Sequence, residues 1–412
     1  MHPLTVHCRK EPRYSIAKRM QTMKRIPGCL ILTLACLAYP GVQAQPMPVG
    51  AGVAINPVAL DPAANLHRIK LPEGFRIELY ADQVPGARSM SLGPDGTVYV
   101  GTQFTADRQN IGKVYAVRDT DGDGRAEQVQ VIAEGLNMAN GVTIHDGNLY
   151  VAEQTRVIRF DNIVANLDHP PAPRVIDADF PDDWMHSWKF IRFGPDGKLY
   201  VPIGSPCNNC EPGDRHGMII RMDADGGNRE VFARGVRNSV GFDWHPQSGE
   251  LWFTDNGRDM WGDDTPPDEL NHAPTAGLHF GYPYRYGTTL VDKDFTPTEG
   301  LELQPAVLDL PPHNAAIGMR FYTGTAFPES YRNQLFIAQH GSWNRSTPEG
   351  YRVILVRFEH NRAVAWEDFA TGWLTEDKQF WGRPVDLEVM PDGSLLVSDD
   401  HAGVIYRISY KE

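Results

Sequence analysis

Hydrophobic and polar positions alternate along most of this chain with a period of two, and clusters of Pro, Asp and Gly break the alternation at intervals. Six segments repeat one layout: "ARSMSLGPDGTVYVGT" (87–102), "MANGVTIHDGNLYVAE" (138–153), "SWKFIRFGPDGKLYVPIG" (187–204), "NSVGFDWHPQSGELWFTD" (238–255), "AIGMRFYTGTAFPESYRNQLFIAQHG" (316–341) and "RPVDLEVMPDGSLLVSDD" (383–400). Each has an alternating run, a turn, and a second run rich in β-branched and aromatic residues. That order predicts a β-hairpin, because a period of two sends alternate side chains to one face and the turn residues accept the backbone of a tight reversal. Runs such as "KVYAVR", "VIRFDN", "MIIRMDA" and "VILVRFE" lie between the hairpins, so each repeat of roughly 50 residues has material for four strands. The expectation is an all-β fold, a six-bladed β-propeller with about four antiparallel strands per blade, spanning 66–412. The spacing lengthens in the last two units, which predicts loops over one face around 259–312 and 342–350.

The first 44 residues break this pattern. Seven basic residues from Arg9 to Arg25 precede the apolar run "GCLILTLACLAYP", and "VQA" ends at Ala44. A run that short does not span a bilayer, and small residues at Val42 and Ala44 suit signal-peptidase cleavage. Residues 1–44 are therefore expected to be an export signal with an over-extended start, Met20 or Met23 being alternative initiators, and 45–65 a linker. The mature chain then has no transmembrane segment and is periplasmic or secreted. Losing seven basic and one acidic residue takes the formal charge from −13 to −19, the wrong sign for a nucleic-acid partner. Cleavage also reduces the cysteines from five to two, Cys207 and Cys210 in "SPCNNCE". With no second pair for zinc and no following His for haem, an oxidising compartment predicts a local disulfide.

Hairpin geometry then locates the chemistry. If every Pro/Asp/Gly turn lies at one face of the disc, residues entering the first strand and leaving the second share the opposite rim. The entering ends carry Arg88, Asn140, His186, Arg237 with Asn238, and Arg383. The leaving ends carry Gln103, Glu153, Asp255 with Asn256, Gln339 with His340, and Asp399 with Asp400. Arginines converging on a channel mouth suit an anionic guest, since guanidinium forks match carboxylates bidentately. Taken singly, each could equally be paired with Asp255, Asp386 or another blade carboxylate.

Several stretches together resemble the soluble quinoprotein sugar dehydrogenases, in particular their sorbosone dehydrogenase-like branch, with pyranose dehydrogenases as relatives. These are "HSWKFIRFGPDGKLYVPIGSPCNNCEP", "RGVRNSVGFDWHP", "FTDNGRDMWGDDTPPDELN", "FGYPYRYG", "AQHGSWNRS" and "GRPVDLEVMPDG". The resemblance covers most of 70–410 and implies a propeller that holds pyrroloquinoline quinone (PQQ) and calcium. It implies His186 as general base, taking the proton of a sugar, sugar aldehyde or polyol while hydride passes to the quinone, a task suited to a near-neutral imidazole. Arg237 and Asn238 would meet the cofactor. Main-chain carbonyls of Gly257 and Arg258, with Asn256 beside them, would hold calcium. Two places depart from the glucose dehydrogenase pattern. His340 and Arg345 stand where that branch has a cofactor-binding Lys, and Arg383 is left from an arginine pair, leaving one anionic group to another residue such as Arg88. Trp343 or Trp381 would offer a stacking surface. Electrons would leave to a cytochrome or quinone acceptor.

A second metal signal is independent of that resemblance. "DTDGDGRAE" (119–127) places Asp119, Asp121 and Asp123 at alternate positions before Gly124, the first half of an EF-hand-like calcium loop, with Gln130 where the bidentate Glu would stand. A plain solvated acidic turn is the alternative. Two other functions are compatible with the fold: a calcium-dependent lactonase or other hydrolase, needing Glu153, Asp255 and Asn256 on one central metal, and a non-catalytic binding propeller.

Overall fold

The computed structural model describes residues 57–102 and 112–411. The six hairpins are the inner two strands of six antiparallel sheets, and together the sheets form a six-bladed β-propeller. Blade 1 runs through Ala87–Leu92, Val98–Thr102, Gly112–Arg118 and Gln128–Leu136, and blade 2 through Gly141–His145, Asn148–Ala152, Val157–Phe160 and Arg174–Asp177. Blade 3 comprises Arg192–Phe193, Leu199–Ile203, Met218–Met222 and Glu230–Arg234, with Leu278–His279 added in parallel at its outer edge. Blade 4 comprises Phe242–Trp244, Leu251–Asp255, Asp268–Ala273 and Leu308–Leu310, and blade 5 Ala316–Phe321, Leu335–Gln339, Arg352–Glu359 and Arg362–Ala370. Blade 6 is built from both ends of the described chain: Pro384–Val389, Leu395–Asp399 and Val404–Tyr410 are completed by Phe75–Ala81, paired from Phe75 opposite Tyr410 to Ala81 opposite Ile405. That closing strand is absent from the hairpin pattern, because it is a single run with no turn partner beside it.

Hydrophobic side chains of facing blades fill the spaces between them, for example Tyr99, Val114, Leu149, Val151 and Ile158 between blades 1 and 2. At the centre the inner strands approach closely. A Cβ on Gly241 would collide with the carbonyl of Ile317, and one on Gly318 with that of Val385, so only glycine allows adjacent inner strands this near. Polar groups tie the same strands. Asp243 Oδ2 accepts from the Phe321 amide at 2.9 Å, Asp386 Oδ2 accepts from the Met90 amide at 2.9 Å, and Ser398 Oγ donates to the Arg88 carbonyl at 2.7 Å. Buried Arg320 is held by Glu388 at 3.2 Å and half-buried Arg192 by Asp243 at 3.1 Å. These arginines are structural.

Within the stretch expected as a linker, residues 57–65 dock on the ring. Val58 donates its amide to Phe380 O at 2.9 Å, Asp61 caps the short helix Pro62–Asn65, and Leu60 packs against the cluster shared by blades 5 and 6. The expected export signal lies outside the described residues. Among the described residues no helix is long and apolar enough to cross a membrane.

Candidate active site

Entering and leaving ends of the hairpins share one rim, and contacts link that rim from blade 6 round to blade 4. Asp400 is the hub of its first sector. Its carboxylate receives Arg88 at 3.0 Å and Arg383 at 3.2 Å, and His340 Nε2 lies 3.0 Å away. Burial alone would raise the Asp400 pKa, but Arg383, His340 and Arg88 together hold it far below the usual carboxylate range. His340 is pushed down to about 4 by burial and then by the Arg383 charge, so it is neutral at pH 7. Two guanidinium groups thus converge on one buried carboxylate. Arg383 keeps 29% of its side chain exposed. Arg88 is buried; its Nε donates to Asn140 at 2.6 Å and its guanidinium lies over Trp188, 5.2 Å from the ring centre.

Asn140 carries the chain of contacts into blade 3 by donating to Lys189 O at 2.9 Å. Three residues upstream of Lys189 is His186, whose φ of 51° is left-handed and costly for a residue with a Cβ. Its Nδ1 lies 2.8 Å from the Ser205 carbonyl. A carbonyl only accepts, so Nδ1 carries the hydrogen and Nε2 is left as the lone-pair nitrogen. Among the described residues nothing bonds that Nε2. The imidazole is pushed down to about 3, by burial first and then by Arg237, rather than titrating near neutrality as its expected role suggested.

Blade 4 supplies the third sector. Asp255 is buried and accepts from the amides of Arg237 at 2.7 Å, Asn238 and Asn256, which ties the entering segment 237–238 to the leaving end of the hairpin. The Arg237 guanidinium is itself heavily used. Nε donates to Asn208 O at 2.9 Å, one terminal nitrogen to Asn256 O at 3.1 Å, and the other to Asn208 Oδ1 at 2.8 Å and Asp259 Oδ2 at 3.2 Å. Four of five guanidinium donors are occupied, leaving one for a guest. A bidentate grip on an anion, as the sequence suggested, would require Arg237 to release a protein partner. Asn238 is freer: its own side-chain amide makes no hydrogen bond among the described residues. Asn256 donates Nδ2 to the Asn238 carbonyl at 2.9 Å, while its buried Oδ1 has no partner among the described residues. Nothing among the described residues donates to the Gly257 and Arg258 carbonyls, and the Arg258 side chain turns away to Asp292 at 2.7 Å.

Other expected site residues fall elsewhere. Arg345 does not join the Asp400 sector; it binds Asp263 O, Asp264 and Glu349 and ties two loops together. Trp381 is core, 1% exposed with Nε1 donating to Gly372 O, whereas Trp343 is 51% exposed. Gln103 lies outside the described residues. Glu153 accepts from the Asn137 amide and pairs with Arg156, and it does not gather with Asp255 into a metal cluster. Asp119, Asp121 and Asp123 do gather, at the turn end of blade 1, and their fourth member is Glu127 rather than Gln130, all four offering oxygens within 4.8 Å of one another. Gln130 instead donates to Leu167 O. Cys207 and Cys210 are joined in a disulfide, as expected. Sequence reading missed Ser205, Asn208 and Asp259, since each acts by holding another residue and none repeats from blade to blade.

Comparison with known proteins adds a family. The profile described as a domain of unknown function (DUF7133) matches residues 61–408. This chain belongs to that family. The DUF7133 chain is 33% identical to an uncharacterized protein of Borreliella burgdorferi over 359 residues, 84% of this chain and 91% of that one. It is 32% identical to a pyrroloquinoline quinone-dependent pyranose dehydrogenase of Coprinopsis cinerea over 125 residues, 26% of this chain and 16% of that enzyme. Its fold matches the holo PQQ domain of pyranose dehydrogenase from Coprinopsis cinerea with a TM-score of 0.67 at 20% identity, covering 83% of this chain and 97% of that one. The structural likeness of the DUF7133 chain is thus to PQQ-dependent sugar dehydrogenases, as its motifs implied.

Proposed function

We propose that this chain is a periplasmic PQQ-dependent dehydrogenase that oxidises a sugar, sugar aldehyde or polyol, in the manner of the sorbosone dehydrogenase-like branch, and passes the electrons to a cytochrome or quinone. The observation that carries this reading is His186: its Nδ1 is fixed on Ser205 O and its Nε2 is open among the described residues, on the same rim as Arg88 and Arg383 of the Asp400 sector.

The residues present fit the cofactor. Arg383, Arg88 and His340 suit its anionic groups, and the free Asn238 amide with one remaining Arg237 donor suits an acceptor beside them. The partnerless Asn256 Oδ1 and the undonated Gly257 and Arg258 carbonyls are neutral oxygens of the kind calcium takes. When bound, PQQ supplies a two-electron acceptor and calcium a charge that polarises it.

His186 has the other half of the task. Neutral across the physiological range, it accepts the substrate hydroxyl proton at Nε2, while Ser205 O stabilises the imidazolium by keeping the Nδ1–H bond. Burial and Arg237 depress its pKa, and negative charge brought to the rim raises it. The hydrolase reading loses ground because Glu153 and Asp255 are committed to separate partners. The 119–127 loop is a second, structural calcium site on this reading. The test is direct: purified protein supplied with calcium and PQQ should reduce an artificial dye with some member of a panel of aldoses, ketoses and aldehydes. No turnover with any of them overturns the proposal.

A further inference from the structure

The Cys207–Cys210 loop is gripped from outside by residues of the blade 4 insertion. Tyr282 Oη accepts from the Cys210 amide at 3.0 Å and contacts Ser205 Oγ at 2.8 Å, Tyr286 Oη donates to Asn209 Oδ1 at 2.7 Å, and Asp292 accepts from Asn209 Nδ2 at 3.1 Å. The disulfide joins residues only three apart, so the loop between them has little freedom to relax. On its inner side it presents Asn208. That residue accepts from Arg237 twice, through its carbonyl at 2.9 Å and its Oδ1 at 2.8 Å. The same Oδ1 accepts from the Asp259 amide at 2.8 Å, and Nδ2 donates to Asp259 O at 3.0 Å. Asp259 follows directly on Gly257 and Arg258.

We propose that Asn208 is a positioning residue that couples the two halves of the site, setting the Arg237 guanidinium and the 257–259 turn in one geometry. This rests on the functional reading above, in which Arg237 meets PQQ and the turn meets calcium. Its consequence is mutual: calcium ordering the turn tightens PQQ binding, and PQQ tightens calcium binding by the same factor, because the two equilibria are linked. The disulfide is the frame that makes Asn208 stiff enough to transmit this.

The test titrates PQQ against the full mature chain by quenching of protein fluorescence, with and without saturating calcium. Asn208→Ala should weaken PQQ binding about tenfold or more, the scale of a lost hydrogen bond to a charged group, and should shrink the calcium-induced gain in PQQ affinity. Asn208→Asp keeps an acceptor for both Arg237 and the Asp259 amide but gives up the donation to Asp259 O, and should restore part of the affinity. A Cys207→Ser/Cys210→Ser chain should bind PQQ with a reduced calcium effect. An alanine variant with wild-type affinity and an undiminished calcium effect overturns the proposal, as does equal weakening in the alanine and aspartate variants, which would mark a merely structural role. Should the alanine chain fail to fold, Asn208→Ser, too short to bridge both partners, takes its place with the same outcomes. Failure of the wild-type chain itself to bind PQQ with calcium overturns the functional reading and this inference together, and is thereby distinguished from failure of Asn208 alone.

Discussion

His186 rests against Gly204: a Cβ on that glycine would come within 2.5 Å of the His186 Cβ and 2.7 Å of its carbonyl oxygen. Both sit beside Ser205, whose carbonyl fixes the imidazole. The backbone contact leaves no room to yield, so Gly204→Ala should push the imidazole out of line while leaving the Asp400 sector untouched. Turnover is expected to fall by about tenfold to a hundredfold, the cost of displacing a reacting group by about an ångström. Steady-state kinetics beside a PQQ titration checks this; normal turnover would mean that His186 placement does not govern the reaction.

Replacing His186 itself tests the base. His186→Gln should lower turnover by about a hundredfold or more, with PQQ and calcium affinity nearly unchanged. Burial and Arg237 hold the imidazole pKa down to about 3, so the neutral, proton-accepting form persists as pH falls through 6.5. In the cofactor-free wild type the His186 ring, followed by NMR, should therefore show no titration near 6.5 and take up a proton only at more acidic pH. A titration centred at 6.5 that vanishes in the Gln variant would contradict this.

The two arginine sectors should respond differently. Arg383 is partly exposed, and its loss should weaken PQQ binding by about tenfold in Arg383→Ala while the melting temperature moves little. Arg237 is buried with four hydrogen bonds to protein, so Arg237→Ala should lower stability by about 3 kcal/mol or more as well as weaken the cofactor. Thermal melts paired with titrations separate these outcomes.

Asp255 and Glu269 face each other across adjacent strands, both buried. Burial raises both: Asp255, opposed by its three amide donors, to about 7, and Glu269, which also feels the charge of Asp255, to about 8. A carboxyl raised in the folded state favours the fold at pH values below its ordinary range near 4.5 and loses that contribution as pH climbs to about 8. Stability should therefore fall between about pH 5 and 8, by at most about 1.4 kcal/mol per unit from this group. Glu269→Gln should flatten that slope, as read by denaturant melts across the range.

Calcium should raise the melting temperature, by an amount equivalent to about 2.7 kcal/mol at a hundred times the dissociation constant of one site. Asp119→Asn should remove one calcium per chain by equilibrium dialysis without altering PQQ binding. Unchanged stoichiometry would make 119–127 a plain acidic turn held by its own amide bonds.

The period-two runs and their Pro/Asp/Gly turns made the six hairpins readable, and hairpin phase alone put Arg88, His186, Arg237, His340 and Arg383 on one rim. What phase does not encode is which partner each side chain chooses. Arg237 and Arg383 enter their blades at equivalent places, yet Asn208 and Asp259 occupy the first while His340 and Asp400 engage the second, which keeps part of its side chain exposed. Asn208 comes from an irregular loop in blade 3 and Asp259 from an insertion in blade 4, neither of which has a counterpart in the repeat. Glu127, the fourth member of the acidic cluster, was missed for a related reason: the EF-hand template puts its last position at Gln130, but here the fourth strand of blade 1 begins at Gln128 and carries that residue out of the loop.

The strand Phe75–Ala81 that completes blade 6 pairs with Val404–Tyr410, the sixth blade's strand that lies farthest along the described chain. Until those residues have emerged, an edge near the start of the chain is unpaired and every blade between is an open arc. Such a long-range closure is slow, because the ends must meet at the entropic cost of a loop of more than three hundred residues. A nascent chain therefore presents an adhesive strand edge until Val404–Tyr410 has emerged, and the hazard ends only when the ring latches.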